Sequence, residues 1–496
     1  MKLRVKDLAI STGNPLIAIV NYIDAQKLDL HYADRIRIKR GKKEIVAMID
    51  ITESNDLVLP GEIGLFKEVY DRVCVKDCDI VTVRIEEKPK SLHYIKNKLS
   101  GKRLSEKEIT NIVDDIIDDR LSDIELTYFV AGSFVRDLDN EETVALTRAM
   151  LSTGERLRLK APVVMDKHCI GGVAGNRTTM LIVPMMAAAG LPIPKTSSRA
   201  ITSAAGTADS VEVLCDVSFP IEKMKRIVQK TGGCFVWGGA VNLAPADDKI
   251  IRVEHPVSLD PVGGLIASIL AKKKSVSATH LLIDIPVGPG CKTESRKRAL
   301  VLKKRFSTIS EQLGMKAVVL ITDGSEPIGN GIGPVLEARD VLWTLMCSPK
   351  AAPDLKEKSI RLAGHMFDLA GKTRKGEGKK LARKILESGL AYEKFCEILQ
   401  AQNAKVIFPE QLELASYTAK VKAKRAARIS HIDNKRINKI ARLAGAPMDP
   451  KSGLYLHKHK GEGVKKGDTL FKIYSDSRER LRFAKQFTSS FHPYSF

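Results

Sequence analysis

Short apolar runs alternate with helical stretches from residue 161 onward, and this alternation is typical of an α/β architecture with a largely parallel sheet. Three of the four predicted strands lead into glycine-containing loops, CIGGVAGN, PVGPGCK and GSEPIGNGIG. Because ligands of such folds bind at the carboxyl ends of strands, we expect these loops to converge on one cleft. The predicted strands are Val163–Met165, Ile193–Thr196, His280–Ile285 and Ala317–Thr322.

The first glycine loop lies in the stretch DKHCIGGVAGNRTTMLIVPMMAAAG, residues 166–190. A buried strand is predicted before it, and the run from Thr178 to Ala189 is long enough for a helix that ends at Gly190. Backbone N–H groups at a helix start lack partners within the helix, and glycines let a ligand approach the backbone. Together with the positive charge of Lys167, the stretch predicts an anion site that suits phosphate.

A second candidate loop, KTSSRAITSAAGTADSVEVL at residues 195–214, is rich in hydroxyl side chains around Arg199. Hydroxyl and guanidinium groups are suitable donors to phosphate oxygens, although a loop rich in Ser and Thr is more often a plain loop. Two such loops, each between an apolar run and a helix, argue against a chance pattern. Neither matches GxxxxGK[ST] or GxGxxG, which disfavours a P-loop kinase or a Rossmann dehydrogenase.

The rest of the chain divides into segments of different character. Residues 1–88 alternate apolar and polar positions, which predicts a separate β-rich domain. Because β-rich modules offer edges for association, we expect this domain to serve assembly. The predicted domains are a β-rich domain at 1–88, a helical domain at 89–152 with 243–275, an α/β phosphate-binding domain at 153–242 with 276–425, and a C-terminal α+β module at 426–496 that contains a small β module at 452–475.

The helical segment begins at Ser105, which together with Glu108 has the sequence of a capping box. Apolar residues then recur at helical spacing up to Leu121. Four acidic residues lie between them, and we expect them on the solvated face of the helix rather than at a metal site: Asp114, Asp115, Asp118 and Asp119.

The composition constrains location and metal chemistry. At 496 residues and 44% hydrophobic content the chain can bury sizeable cores. It has no charge-free apolar stretch of about 18 residues, and its first residues lack the long apolar core of a signal peptide. We therefore expect a cytoplasmic protein with no membrane partner. Eight scattered cysteines fit neither a disulfide framework nor CxxC metal pairs.

The formal net charge of +22 favours anionic partners by long-range attraction. Aromatic residues make up only 5% of the chain, and neither an RNP-type motif nor a zinc finger is present in the sequence. We therefore expect no specific nucleic-acid partner, because the sequence lacks these features. A basic RNA-associated scaffold stays open as an alternative function that is not enzymatic. A small phosphorylated substrate would benefit from the same field.

Five blocks follow one another along the chain: DKHCIGGVAGN, SSRAITSAAGTAD, SLDPVGGLIASILAKK, LLIDIPVGPGCK and ITDGSEPIGNGIGPVLE. In this order and spacing they resemble the signature blocks of the thymidine and pyrimidine-nucleoside phosphorylase family, and the resemblance covers roughly residues 90–475. The extra N-terminal domain and the sequence SSRAITS are similar to the archaeal AMP phosphorylase branch of that family. Thymidine phosphorylases carry a loop there that is richer in glycine and poorer in hydroxyls.

The resemblance implies a helical domain and an α/β domain, with a mixed or parallel sheet, that enclose a cleft. It implies an enzyme, a glycosyltransferase of the pentosyltransferase type, that works as a homodimer or larger homo-oligomer. The implied reaction is phosphorolysis: inorganic phosphate attacks C1′ of AMP and releases adenine and ribose 1,5-bisphosphate, in nucleotide catabolism or salvage. CMP and UMP are further candidate substrates. Inorganic phosphate is the co-substrate, and neither a cofactor nor a metal is expected.

The resemblance also implies which residues form the site. Asp260, in SLDPVG, is the implied proton donor to the departing base, whereas an Asp before Pro is otherwise a turn or cap residue. Ser268 and Lys272 lie four residues apart, a spacing that suits gripping a base edge. The residues implied to contact the nucleotide are Gly172, Ser198, Arg199, Ala200, Ile201, Thr202, Ser203, Thr207, Ser268 and Lys292. Those implied near the attacking phosphate are Lys167, Cys169, Thr178, Ser197 and Thr207.

Two departures from the family pattern bear on the chemistry. The family usually has serine after Lys-His, where this chain has Cys169, and a thiol is a weaker hydrogen-bond donor than a hydroxyl. In a different interpretation Cys169 and His168 act as nucleophile and base, but neighbours along an extended segment point in opposite directions. The arginine that grips the base in pyrimidine phosphorylases has no convincing counterpart, since Val253 falls there beside Arg252.

The sequence leaves two related enzyme classes to be weighed. Within the family, the runner-up is a thymidine or pyrimidine-nucleoside phosphorylase. Anthranilate phosphoribosyltransferase shares the two-domain architecture, but its glycine-rich signature is not present in this sequence.

Overall fold

The computed structural model describes residues 1–13, 15–201 and 203–496. The chain divides into two compact units, Met1–Thr153 with Pro245–Leu265, and Gly154–Ala244 with Ile266–Phe496. The limits between the four predicted domains stay a prediction. Among the helices in the described ranges, none is both long and apolar enough to cross a membrane.

Helices and strands both occur along the whole length of the described ranges. The helices are α1 (Tyr22–Lys27), α2 (Lys67–Val73), α3 (Ser91–Leu99), α4 (Glu106–Ile117), α5 (Asp123–Val135), α6 (Asn140–Thr153), α7 (Thr178–Ala188), α8 (Thr207–Glu212), α9 (Ile221–Thr231), α10 (Pro245–Val257), α11 (Val262–Ser275), α12 (Arg296–Gln312), α13 (Pro334–Leu345), α14 (Pro353–Leu369), α15 (Gly378–Glu387), α16 (Leu390–Ala401), α17 (Asn434–Ala444) and α18 (Arg478–Ser490). The strands are β1 (Lys2–Asp7), β2 (Ile17–Asn21), β3 (Arg35–Arg40), β4 (Lys43–Thr52), β5 (Glu62–Leu65), β6 (Ile80–Ile85), β7 (Met165–Cys169), β8 (Ile193–Ser197), β9 (Gly233–Trp237), β10 (His280–Val287), β11 (Lys316–Asp323), β12 (Gly331–Ile332), β13 (Tyr417–Lys422), β14 (Ala427–Arg428), β15 (His431–Ile432), β16 (Gly453–Leu456), β17 (Gly463–Val464), β18 (Thr469–Ser475) and β19 (Tyr494–Ser495).

The first unit begins with a closed β-barrel, in which the strands are ordered β1-β5-β2-β4-β3-β6. Alternate side chains point inward, so that Leu3, Ile36 and Ile38 are completely buried. The predicted β-rich domain is therefore confirmed. The expectation that this domain offers free strand edges for assembly is wrong, because a closed barrel leaves no strand edge free for a partner.

Helices α3 to α6 and α10 make up the rest of the first unit with the start of α11. Helix α4 begins with the predicted capping box, in which the side chains of Ser105 and Glu108 each accept from the other's backbone N–H. The expectation of a fully solvated acidic face is wrong for Asp115, which is buried and accepts a hydrogen bond from Arg120 at 3.3 Å. Asp115 follows Ile112 by three residues, and this spacing brings it onto the apolar face.

A buried ion pair joins α3 to α6 in this unit. The ammonium of Lys98 lies 2.9 Å from both carboxylate oxygens of Glu142, and both residues are almost completely inaccessible to solvent. Glu142 also accepts from the backbone N–H groups of Leu104 and Asp139, each at 2.8 Å. Both carboxylate oxygens of Glu142 thus accept hydrogen bonds, and the charges of Lys98 and Glu142 compensate each other.

Removing one partner of this pair should destabilise the protein strongly. We expect Lys98→Met to lower the free energy of unfolding by about 3–5 kcal/mol, because it leaves the Glu142 carboxylate buried without a counter-charge. Lys96→Met, at an exposed position of the same helix, is the matched control and should change it by no more than about 0.5 kcal/mol. Urea denaturation measures both. Equal midpoints for the two variants would contradict the prediction.

The second unit is built on parallel strands. A three-stranded sheet has the order β11-β10-β7, and β8 pairs with β9 beside β7. Strands β8, β10 and β11 contain the predicted runs. The first strand lies later than predicted, because Val163 and Val164 precede it and the polar sequence Asp166–Cys169 is inside it. Helices α7, α14 and α16 pack around this core, and α12 packs on β10 and β11.

The C-terminal residues form the predicted small module of short strands with two helices, α17 and α18. Its main sheet has the order β12-β16-β18-β13, and β12 comes from the third glycine loop of the α/β part. Ala174 and Ala204, from the first glycine loop and the hydroxyl-rich loop, are buried in the same apolar cluster as Ile437 and Ile440 of α17. The module therefore packs directly against the loops at the strand ends.

Candidate active site

Strand β7 presents its side chains alternately to two sides of the sheet. Lys167 and Cys169 lie on one side, and Asp166 and His168 on the other. The register opposes Cys169 to Asp284 of β10, which brings a carboxylate to the side of Lys167. A strand that would otherwise be apolar therefore carries a charge on each side.

Lys167 is an almost completely buried cation of the site, with 1% of its surface exposed. Its ammonium donates to the hydroxyls of Thr178 at 2.9 Å and Thr179 at 3.2 Å, both in the first turn of α7. Burial lowers the pKa of Lys167 below its ordinary value. Within the described residues, no carboxylate lies within ion-pair distance of this ammonium.

Three of the residues predicted near the attacking phosphate are brought together by Asn176. Its amide donates to the Cys169 sulfur at 3.4 Å, and its carbonyl oxygen accepts from the Thr178 hydroxyl at 3.2 Å. Thr178 also accepts from Lys167. A chain of hydrogen bonds at the start of α7 therefore runs from Lys167 through Thr178 and Asn176 to Cys169. Asn176 had no distinguishing signal in the sequence.

Asp284 lies on the same side of the sheet as Lys167, beside a hydroxyl and a second lysine. It accepts from the Thr322 hydroxyl at 2.6 Å and lies 3.5 Å from the ammonium of Lys358, on α14. Burial opposes ionisation of Asp284, but attraction by Lys358 and Lys167 outweighs it, so that its pKa lies below the ordinary value. The carboxylate is thus held in its charged form.

Asp166 lies on the opposite side of β7, where it meets two buried lysines. Its carboxylate lies 2.9 Å from Lys273 of α11 and 3.6 Å from Lys195 of β8, and all three side chains are buried. Burial and these two lysines lower the pKa of His168 well below its ordinary value, so the imidazole is neutral.

The interpretation of Cys169 and His168 as nucleophile and base is disfavoured by this arrangement. The two side chains lie on opposite sides of β7. Burial, with a smaller effect of Asp284, raises the pKa of the Cys169 thiol to about 11. A thiol nucleophile needs a depressed pKa, so this sulfur is suited to contact an anion and not to attack a substrate.

The three glycine loops converge, as their positions at the strand ends predict. Gly172 has a φ of +101°, and a Cβ placed there would lie 2.5 Å from Cα of Cys291 in the second loop. A Cβ on Gly175 would lie 2.1 Å from the carbonyl oxygen of Ile328 in the third loop. Only glycine permits both approaches. The Lys292 side chain, beside Cys291, is exposed.

The hydroxyl-rich loop after β8 is ordered by charged side chains. Asp209 of α8 accepts from the backbone N–H groups of Ala200 and Gly206, each at 2.7 Å. Arg199 donates to Glu212 at 2.8 Å, lies 3.3 Å from Asp209, and stacks 4.7 Å from the ring centre of Trp237. The guanidinium of Arg199 is therefore engaged by two carboxylates, and its part in binding a nucleotide stays a prediction.

The hydroxyls of this loop differ in their environment. The Ser197 oxygen is buried and has no hydrogen-bond partner among the described residues. Ser203 donates to the Ala205 carbonyl at 2.9 Å, whereas Ser198 is exposed. Ile201 is exposed and Thr207 begins α8. Thr202, also predicted to bind the nucleotide, lies outside the described residues.

The remaining predicted residues lie on or beside α11. Ser268 and Lys272 are both half-buried on this helix in the second unit. Asp260 is half-buried and precedes the helix by two residues, in the first unit. Arg252 donates to Asp123 at 2.6 Å, and the neighbouring Val253 is buried.

Several charged groups of the site had been missed by the sequence analysis. Arg177 forms an ion pair with Glu337 of α13, and Glu337 also accepts from Ser210 of α8 at 3.0 Å. A signal was present for Asp284, because it interrupts an apolar run that is predicted to be a buried strand. Across residues 1–13, 15–201 and 203–496, no group of three or more His, Cys, Asp or Glu side chains could hold a metal ion.

Comparison with known proteins identifies the family. Residues 92–154 and 161–324 match the helical bundle domain and the a/b domain of the glycosyl transferase family, and residues 428–492 match the pyrimidine nucleoside phosphorylase C-terminal domain. The AMP phosphorylase of Methanocaldococcus jannaschii is 43% identical over 99% of this chain and 97% of its own length. The chain belongs to the thymidine phosphorylase family. It is a pentosyltransferase enzyme.

Other members of the thymidine phosphorylase family are equally similar. The AMP phosphorylase of Pyrococcus furiosus is 45% identical over 97% of this chain and 95% of its own length. A putative thymidine phosphorylase of Legionella pneumophila strain Paris is 45% identical over 91% of this chain and 86% of its own length. These matches confirm the predicted family and enzyme class, and they give no support to an RNA-associated scaffold.

A solved structure confirms the fold class of this family member. Anthranilate phosphoribosyltransferase from Thermus thermophilus superposes with a TM-score of 0.54 at 21% identity, over 62% of this chain and 98% of that chain. At this identity the likeness shows the fold alone. The helical and α/β parts thus have a known architecture, with an N-terminal β-rich region and a small C-terminal module added.

Lys167→Met should weaken the binding of inorganic phosphate. A charge-assisted hydrogen bond contributes about 1.5–3 kcal/mol, so the KM for phosphate should rise about 10- to 100-fold. Because the pKa of Lys167 lies below the ordinary 10.5, the wild-type protein should lose phosphate affinity as the pH rises toward that value. The variant should lose this dependence. Lys160→Met, at an exposed position, is the control, and an unchanged KM in Lys167→Met would refute the assignment.

Cys169→Ser should keep or improve phosphate binding, because a hydroxyl is a better donor than a thiol. We expect an unchanged or lower KM for phosphate, with kcat retained, in steady-state kinetics. Complete loss of turnover in a folded variant would instead favour a nucleophilic thiol.

Proposed function

We propose that this enzyme catalyses phosphorolysis of nucleoside 5′-monophosphates, with AMP and inorganic phosphate giving adenine and ribose 1,5-bisphosphate. One observation of the structure carries the anion chemistry: the Lys167 ammonium is buried and is held by two threonine hydroxyls, without a paired carboxylate among the described residues. A buried cation of this kind is stabilised by an anionic ligand. The preference for AMP rests on the full-length similarity to enzymes named AMP phosphorylase.

The proposed site distributes the two anions of the reaction over two loops. Inorganic phosphate would contact Lys167, Cys169, Thr178, Ser197 and Thr207. The nucleotide would contact Gly172, the loop from Ser198 to Ser203, Thr207, Ser268 and Lys292. Support comes from the chain of hydrogen bonds through Asn176 and from the buried Ser197 hydroxyl that has no partner in the described part of the protein.

The proposed step is a displacement at C1′. A phosphate oxygen forms the new bond to C1′ while the bond from C1′ to the base nitrogen breaks, and the electron pair of that bond goes to the base. Asp260 supplies a proton to the departing base, which avoids expelling an anion. Neither a cofactor nor a metal enters this scheme, and phosphate is the co-substrate.

The runner-up is phosphorolysis of pyrimidine nucleosides. The similarity to putative thymidine phosphorylases favours it. Against it stands Arg252, the residue beside the family's base-gripping position, which donates to Asp123 at 2.6 Å. CMP and UMP stay candidate substrates beside AMP.

Incubation with each of AMP, CMP, UMP, adenosine and thymidine, together with inorganic phosphate, tests the proposal. Chromatography and mass spectrometry should detect free base and ribose 1,5-bisphosphate from AMP. If only the unphosphorylated nucleosides react, the runner-up replaces the proposal. The proposal also includes a homodimer or larger homo-oligomer, which light scattering measures, and a cytoplasmic location.

Asp260→Asn should lower kcat with AMP while leaving nucleotide binding intact. General acid assistance typically contributes about 10²- to 10⁴-fold, and the loss should appear in turnover more than in KM. Asp56→Asn, at an exposed position of the barrel, is the matched control. A base that already carries a positive charge, such as 7-methylguanine, needs no proton, so its monophosphate should suffer less. Near-normal kcat with AMP from pH 5 to pH 8 would refute the role of Asp260.

A further inference from the structure

One face of helix α17 carries three polar residues at intervals of four: Asn434, Asn438 and Arg442. Residues spaced in this way lie above one another on a helix. Every one of them makes hydrogen bonds to the backbone of a loop at the strand ends, and the apolar residues of α17 pack in the C-terminal core. We call Asn434, Asn438 and Arg442 the loop-binding face of α17.

Asn434 joins the first and third glycine loops. Its side-chain oxygen accepts from the backbone N–H of Ala174 at 3.0 Å, and its side-chain nitrogen donates to the carbonyl of Gly324 at 3.0 Å. Asn434 is completely buried, so both contacts form without competition from water. One amide therefore fixes the spacing between the first glycine loop, which leads to the proposed phosphate ligand Thr178, and the loop after β11.

Asn438 and Arg442 hold the hydroxyl-rich loop. The side-chain oxygen of Asn438 accepts from the backbone N–H of Ala204 at 3.0 Å. The guanidinium of Arg442 donates to the carbonyls of Ile201 at 2.9 Å and Ser203 at 3.2 Å. These bonds lie toward the C-terminal end of the segment that is proposed to bind the nucleotide.

The hydroxyl-rich loop depends on such contacts because its described residues have no regular secondary structure between β8 and α8. Its backbone is also held by Asp209, through Ala200 and Gly206 near the two ends of the segment, and by Arg177 and Ser203, which donate to the Ala205 carbonyl. Asn438 and Arg442 act on the middle of the loop. Backbone groups that are held in place before a ligand arrives lower the entropic cost of binding it.

We infer that the loop-binding face of α17 positions the substrate loops, with Asn438 and Arg442 setting nucleotide affinity and Asn434 setting phosphate affinity. The inference rests on the proposed function for the identity of the two substrates. None of the three residues is assigned contact with a substrate, so each acts through the backbone that it holds. The C-terminal module is thereby part of the substrate-binding apparatus.

The test separates the two substrates kinetically. Asn438→Ala should raise the KM for AMP about 3- to 10-fold, as expected for one lost hydrogen bond, with kcat and the KM for phosphate unchanged. Arg442→Ala should behave alike. Asn434→Ala should mainly raise the KM for phosphate. Lys439→Ala, at an exposed position of the same helix, is the control and should change neither constant. Equal increases of both KM values in Asn438→Ala would overturn the inference.

Hydrogen–deuterium exchange keeps this inference distinct from the proposed function. In the unliganded protein, Asn438→Ala and Arg442→Ala should speed exchange in residues 198–206 relative to the wild type and Lys439→Ala. Unchanged exchange there overturns the inference, whatever the substrate is. Absence of turnover by the wild type with AMP overturns the proposed function alone. If the buried Asn434→Ala variant fails to fold, the two more accessible positions decide the result.

Discussion

The compensation of buried charge along β7 is the interaction on which the second unit depends. A lysine and an aspartate adjacent in sequence enter the interior on opposite sides of one strand. Isolated charges there would be strongly unfavourable, so each must be met by groups from other elements. Asp166 needs β8 and α11, and Lys167 needs α7 and, at longer range, Asp284. The sheet, its helices and the anion site therefore depend on one another for stability.

Two opposing electrostatic effects act on the buried Lys167 ammonium. Burial pushes its pKa down, while the negative charge of Asp284 works in the opposite direction. Asp284 does not neutralise Lys167 by direct pairing, since the carboxylate is bound by Thr322 and lies beside Lys358. Burial outweighs this attraction, so the pKa of Lys167 stays below its ordinary value. The orphan N–H groups at the start of α7 add to the attraction of the site for an anion.

Most of the architecture could be predicted from the sequence, because it follows from local patterns. The capping box at Ser105 and the strands β8, β10 and β11 are encoded by residues near one another in the chain. The position of β7 could not be predicted in this way. Its polar residues break the apolar pattern, and only partners from distant elements make them acceptable in a strand. The same holds for the carboxylate partners of Arg199 in α8, which the sequence around Arg199 did not predict.

Because the chain is synthesised from its N-terminus, the loop-binding face of α17 is made after the loops that it holds. Asn438 follows Ala204 by 234 residues, and Asn434 follows Ala174 by 260. A nascent chain on the ribosome can therefore complete its parallel sheet while the loops at the strand ends still lack their last supports. Those supports are synthesised only with the final module, so a chain that ended before residue 434 would contain every strand of the parallel sheet and none of the three side chains of the loop-binding face.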